Sequence, residues 1–245
     1  MLVYGRGAGR STAVEICPGA RRLVELVEMR RRRQAVVRRL PGLEAVRSFR
    51  VPRAEGLDVE CRDRAGRDIF VLAHSNGEPV ARGRLLRFTG ERRRVIHRGT
   101  VVEIAVSGHI AYLATGRWGR DIMALDLRTG ARRHVATVPR IPGELVVSPD
   151  GGALATVAHH PFGVSHAVVI RPGAEPVIRR APLGEGAGGS LVWTSRNRLV
   201  YGGEGSNFRL FDSALRTVGR FRSHFGGSTF IAAHEGTVSA STGTA

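Results

Sequence analysis

Leu145-Val146-Val147-Ser148-Pro149-Asp150-Gly151-Gly152-Ala153-Leu154-Ala155-Thr156-Val157 reads as two short apolar strands joined by a tight polar turn. Each turn residue has its own reason to be there. Proline presets φ, aspartate bonds its own backbone, and glycine takes a left-handed conformation that side chains resist. The same strand–turn–strand pattern recurs at residues 103–114, 191–201 and 230–239. A second hairpin follows three of these four stretches, at 123–135, 168–178 and 208–218, and comparable hairpins occur at 13–24 and 85–96. Pro18-Gly19, Thr89-Gly90, Thr129-Gly130 and Pro172-Gly173 mark their turns, while Asp212-Ser213 marks the one without glycine. Such pairs between alternating apolar residues are hairpin signals. Two successive hairpins form one four-stranded antiparallel unit. The complete units start near residues 102, 144 and 190, a spacing of 42 to 46 residues.

That period is the length of a propeller blade. The expected fold is therefore all-β: a β-propeller of five or six four-stranded antiparallel blades. Ser148-Pro149-Asp150-Gly151 resembles the blade motif of the TolB-like, WD-repeat-like bacterial propellers, where it joins a blade's first two strands. Arg53-Ala54-Glu55-Gly56 resembles a degraded copy. The resemblance implies a cell-envelope or secreted setting and is almost silent on function.

One domain is expected over residues 1–245. Its blade units are 1–44 (partial), 45–99 (irregular), 100–142, 143–189, 190–227 and 228–245 (partial). Leu2-Val3-Tyr4-Gly5 aligns with Leu199-Val200-Tyr201-Gly202, so the chain begins in a blade's second strand. Two readings follow: a composite closing blade shared by residues 229–242 and 1–27, or an N-terminus truncated relative to the true start. The residues after Met1 lack the basic and apolar regions of a signal peptide. Leu23 to Leu40, interrupted by Arg30-Arg31-Arg32-Arg33, reads either as a short amphipathic helix or as an extended hairpin. Strands are expected at 45–51, 57–61 and 69–73.

Composition is that of a folded globular protein, 42% hydrophobic and 24% charged. No run of eighteen apolar residues occurs, so no transmembrane helix is expected. The net charge of +17 points to a polyanion partner. Yet all 38 basic residues are arginine, which reads as codon bias more than as selection for phosphate contacts. Cys17 and Cys61 each sit in an alternating strand and read as two small buried thiols, with a single disulfide left open.

Candidate sites are few. His159, His160 and His166 fall within eight residues between two strands of one blade and could ligate a metal, although no acid or cysteine accompanies them. Trp118, flanked by Arg117 and Arg120 in a glycine-rich loop, suits a binding surface or packs over a neighbouring blade. The Arg30–Arg33 run offers a nucleic-acid or lipid contact, or a solvated face. Gly5-Arg6-Gly7-Ala8-Gly9-Arg10-Ser11 lacks the spacing and lysine of a phosphate loop and reads as a strand connection, like Gly202-Gly203-Glu204-Gly205-Ser206. Asp126, Asp150 and Asp212 lie at turns and read as turn chemistry, and Trp193 reads as core. No catalytic group and no cofactor is expected. The function expected is a non-enzymatic scaffold that binds protein or a small ligand. The alternatives are a propeller hydrolase or lyase with a channel site, and an arginine-driven polyanion-binding module.

Overall fold

The computed structural model describes residues 10–17, 21–29, 32–52, 54, 56–62, 65–75, 82–139, 141–160, 163–185, 189–203, 207–222, 228–234 and 237–243. Their regular structure is β-strand apart from one 3-10 turn at Arg117–Gly119. Blade one comprises β1 (Arg10–Ile16), β2 (Arg22–Met29), β3 (Arg32–Arg39) and β4 (Ala45–Val51). Blade two comprises β5 (Gly56–Cys61), β6 (Asp68–His74), β7 (Arg82–Thr89) and β8 (Arg92–Thr100). Blade three comprises β9 (Glu103–Ser107), β10 (Ile110–Thr115), β11 (Asp121–Asp126) and β12 (Arg132–Thr137). Blade four comprises β13 (Ile141–Val147), β14 (Leu154–His159), β15 (Val164–Arg171) and β16 (Val177–Glu185). Blade five comprises β17 (Gly189–Trp193), β18 (Leu199–Gly203), β19 (Asn207–Phe211) and β20 (Thr217–Arg222). A two-stranded sheet follows, of β21 (Ser228–His234) and β22 (Thr237–Gly243). Each of the five full sheets pairs its strands antiparallel in chain order.

The chain divides into two compact units, Met1–Val102 with blades one and two, and Glu103–Ala245 with the rest. In the second unit β9, β13, β17 and β21 lie next to one another in succession. In the first, β1 lies beside β5. The first strand of each blade is thus the inner one and the fourth is the outer edge. Second strands are covered on both faces: β6, β10, β14 and β18 are buried along nearly their whole length. This explains their unbroken apolar runs, because a strand sandwiched between layers has no polar side.

Both units close their cores between blades. In the first, Val24, Leu26, Ala35, Val37 and Val51 of blade one meet Val59, Ile69, Val71, Leu86 and Phe88 of blade two. Phe49 stacks on Phe88 with centroids 4.4 Å apart. In the second, Ala155, Val157, Ala167, Val169 and Leu183 of blade four meet Leu191, Trp193, Leu199, Tyr201 and Phe211 of blade five. Trp193 lies in this core, as expected.

Leu23 to Leu40 is an extended hairpin rather than a helix. Glu28 lies opposite Arg33 and bonds it at 2.8 Å, and Arg38 bonds Glu25 at 2.6 Å. These cross-strand ion pairs, with Val24, Leu26, Ala35 and Val37 on one face, suit a period of two. Ala45–Val51 completes blade one, and the stretch expected to be irregular holds the regular sheet Gly56–Thr100. Residues 10–27 are committed to blade one, where β1 and β2 complete a sheet with β3 and β4; residues 1–9 lie outside the described residues.

The cysteines correct the free-thiol expectation. Cys17 and Cys61 form a disulfide with Cα atoms 5.0 Å apart. Each closes the inner strand of its own blade, and both are buried in the core shared by blades one and two. Two first strands that pack side by side put their ends within disulfide reach. The link spans 44 residues of sequence, and closing a loop of that size removes roughly 4 kcal/mol of unfolded-state entropy. Replacing both cysteines by alanine is expected to cost about 2–4 kcal/mol, read as a lower urea midpoint that reductant no longer changes.

Candidate functional site

Two ends of each blade differ in chemistry. One end carries the turns between strands one and two and between strands three and four. There Asp150 Oδ1 accepts from Ser148 Oγ at 2.6 Å and from the Gly152 N–H at 2.9 Å, while Gly151 takes φ 72°. Asp150 Oδ2 accepts from Asn197 Nδ2 at 2.7 Å, linking the first turn of blade four to that of blade five. Asp126 caps the N–H groups of Arg128 and Thr129, and Asp212 those of Ala214 and Arg216. All three carboxyls are held below the ordinary aspartate range. Backbone N–H donors lead for Asp126 and Asp212, and the Ser148 hydroxyl leads for Asp150. These aspartates are turn chemistry, as their positions suggested.

The opposite end carries the connections between strands two and three, and the sequence candidates fall there. Trp118 sits between β10 and β11 with φ 65° and ψ 17°, a left-handed conformation rare for a bulky residue. Gly116 (φ 75°) and Gly119 (φ 66°) flank it, and the Gly119 N–H donates to Gly116 O at 3.2 Å. A side chain at Gly116 would collide with the Asp121 carboxylate. Arg117 is exposed, Trp118 half-buried, and the Arg117 guanidinium lies 5.8 Å from the indole centroid. Arg120 is not free to reach a ligand: its Nε donates to Val138 O at 3.0 Å, and the Val138 N–H returns a bond to Arg120 O at 2.8 Å.

A polar network that sequence reasoning missed braces the turn. Thr137 Oγ1 donates to Asp121 Oδ1 at 2.8 Å, His134 Nε2 lies 3.1 Å from Thr137 Oγ1, and Thr115 Oγ1 donates to Asp121 O at 3.0 Å. His134 and Thr137 are three residues apart, which on a regular strand places them on opposite faces. A bulge at Val135 shifts the register so that Thr137 faces Asp121 and His134 faces Met123, on one side. No alternation pattern signals such a bulge.

The turn packs beside β13. The first residue of that strand, Ile141, pairs with His159. The three histidines do not converge. His166 pairs with Ala158 and shares its face, so His159, the next residue along β14, points to the other face, against Gly143. His160 lies in the connection, its N–H donating to Ser165 Oγ at 3.3 Å. Among the described residues no three His, Cys, Asp or Glu side chains are placed to hold a metal ion. Arg32 and Arg33 begin β3, with Arg33 bonded to Glu28 and to Ala54 O; Arg30 and Arg31 lie outside the described residues. Residues 5–9 and 204–206 also lie outside them, while Gly202 and Gly203 end β18. On blade two, His74 Nε2 stands 3.8 Å from Asp58 Oδ2; burial pushes the Asp58 carboxyl up, and His74 partly opposes this.

The class of protein follows from this arrangement: it is a β-propeller, TolB-like and WD-repeat-like in fold. No family model and no curated protein sequence matches the chain. Among solved structures, TolB from Acinetobacter baumannii is similar with a TM-score of 0.65 at 15% identity, over 89% of this chain and 55% of that one. A functionally unknown protein from Desulfotomaculum acetoxidans gives 0.62 at 12% identity, over 95% and 75%. The β-propeller domain of Myceliophteria thermophila Cps50 (Swd1) gives 0.54 at 14% identity, over 76% and 61%. At such identities the likeness is one of fold. No helix among the described residues is long and apolar enough to cross a membrane.

Asp150 provides a test of the turn chemistry. A carboxyl whose folded pKa is depressed stabilises the fold above its unfolded value and loses that contribution as pH falls through the folded one. Asp150→Asn is therefore expected to melt at a lower temperature than wild type at pH 7, with the gap closing as pH falls below about 3.9. An unchanged gap down to acid pH assigns the loss to packing instead.

Proposed function

We propose that this chain is a non-enzymatic propeller, one domain over residues 1–245, that binds a protein partner through the end of its blades carrying the strand two–three connections. The observation that carries this reading is the Trp118 turn. An indole held at positive φ between two glycines, braced by Asp121 and Thr137, is a rigid half-exposed aromatic with an arginine over its face. Tryptophan and arginine dominate interface hot spots because they bury large areas at low entropic cost. The fitting partner presents an apolar pocket for the indole and an acidic group for Arg117. The buried Cys17–Cys61 disulfide supports residence in an oxidising compartment, in line with the envelope setting that TolB resemblance implies.

Peptides selected from a random display library on the wild-type protein provide a probe. Trp118→Ala is expected to weaken the dominant binders by about thirtyfold or more, a loss of at least ~2 kcal/mol, and Arg117→Ala by less. Binders that hold equally to both variants place recognition elsewhere.

A second reading rests on Arg84 and Arg98. They lie directly opposite each other on β7 and β8, and neither has a carboxylate partner among the described residues. Facing like charges are unfavourable and favour a bound anion. Retention on heparin that falls steeply with salt, and that Arg84→Ala/Arg98→Ala reduces beyond the loss of two charges elsewhere, supports a specific polyanion site. Equal losses from Arg132→Ala/Arg133→Ala reduce it to generic attraction.

A further inference from the structure

The polar network of blade three holds more donors than a brace needs. Thr115, Asp121 and Thr137 form one row across β10, β11 and β12. The 2.8 Å bond between the side chains of Asp121 and Thr137 already joins the ends of β11 and β12. His134 adds an imidazole whose Nε2 lies 3.1 Å from Thr137 Oγ1 and 3.9 Å from Asp121 Oδ1. The bulge at Val135 brings it to that face, and bulges beside functional sites re-aim side chains in this way.

The geometry points to a site for a late first-row divalent cation such as zinc, held by His134 Nε2, Asp121 Oδ1 and Thr137 Oγ1. These atoms form a triangle with sides of 2.8, 3.1 and 3.9 Å. Its circumcentre lies about 2.0 Å from each, the length of zinc bonds to nitrogen and oxygen. One ion reaches all three donors with little movement. An imidazole beside two oxygens suits such an ion better than magnesium or calcium, which take oxygen ligands. Asp121 is also available. Among the described residues its ion-pair neighbour is His134, in a chain with 38 arginines that take up carboxylates elsewhere. Its Oδ2 fills the space a side chain at Gly116 would need, and its main-chain carbonyl accepts from Thr115, so the carboxylate is fixed in place. Both strong ligands meet solvent, His134 at 55% and Asp121 at 44% exposure, so water completes the coordination, as in open three-ligand zinc sites. The ion takes the place of the Nε2 proton, and the neutral imidazole then carries its proton on Nδ1. With two strong ligands and a net charge of +17, affinity is expected below that of a four-ligand structural site. This inference does not depend on the partner-binding reading of Trp118.

Calorimetric titration of the untagged full chain with zinc chloride tests the site. One ion per chain is expected to bind. His134→Ala and Asp121→Asn are each expected to weaken binding about tenfold or more, and Thr137→Val to weaken it less. Changing His159, His160 and His166 together to alanine is expected to leave it as in wild type. Zinc is also expected to shift the imidazole resonances of His134 in the wild-type protein, a readout that holds even if a variant fails to fold. Four results overturn the proposal. One is no zinc binding by wild type. Another is binding that survives both His134→Ala and Asp121→Asn. The third is binding lost in the triple histidine variant. The last is bound zinc that leaves the His134 resonances unmoved.

Discussion

The constraint on which the rest of the molecule depends is that each blade is apolar on faces that only another blade can cover. A second strand such as Leu154–His159 is buried almost end to end, so neither of its faces meets water. A lone four-stranded sheet with that sequence would expose both. Stability therefore lies between blades, in the clusters of Val24 with Val71 and of Val157 with Tyr201, as expected of an architecture in which neighbours supply one another's core. The specific bonds reinforce this. Cys17–Cys61 ties the inner strand of blade one to that of blade two, and Asn197 ties the turn of blade five to Asp150 of blade four. Both bind a blade to its neighbour, where loss of contact is most damaging.

Covering faces leaves edges. Outer strands have one row of unpaired backbone groups, and this chain guards all five complete outer strands with arginine. Part of the net charge of +17 is thus accounted for by edge protection. Lysine does this work in many proteins, and its total absence here fits the codon-bias reading, with arginine standing in for it. Inner strands β5, β9, β13 and β17 carry no arginine, and β1 carries one, Arg10. Arginine is thus sparse on inner strands and frequent on outer ones, although the third strands β3 and β7 carry it too.

What could be read from the sequence was whatever repeats. Turn pairs such as Thr129-Gly130 and Ser148-Pro149-Asp150-Gly151 announce hairpins locally, and their period announces blades. Three features escaped because their causes are not local. The disulfide depends on which strands become neighbours, and 44 residues separate its ends. The Asp121–Thr137–His134 network depends on a one-residue bulge that reverses the face of His134. The histidines looked like a cluster along the chain, but adjacent positions on a pleated strand point apart, so nearness in sequence set His159 and His166 on opposite sides. The Trp118 loop was recognisable from its residues, and only its backbone conformation needed coordinates. In blade one, the choice between helix and hairpin turned on cross-strand pairs such as Glu28 and Arg33, which a helical reading places five residues apart and out of reach.

The described turns at the two ends of the blades differ in their chemistry. At the end of the strand one–two and three–four turns, aspartate side chains are consumed by backbone N–H groups, so Asp126, Asp150 and Asp212 have little left to offer a ligand. At the other end, the strand two–three connection of blade three is built differently. It holds Trp118 in a left-handed conformation, as the strand three–four turns hold Leu43 and Leu215, each at a cost on the order of 1–2 kcal/mol. Leucine meets the same cost in those hairpin turns, and what sets Trp118 apart is its aromatic area with the Arg117 guanidinium beside it. Gly116, Gly119, Asp121 and Thr137 shape the turn that presents it, and the proposed partner binding rests on that feature.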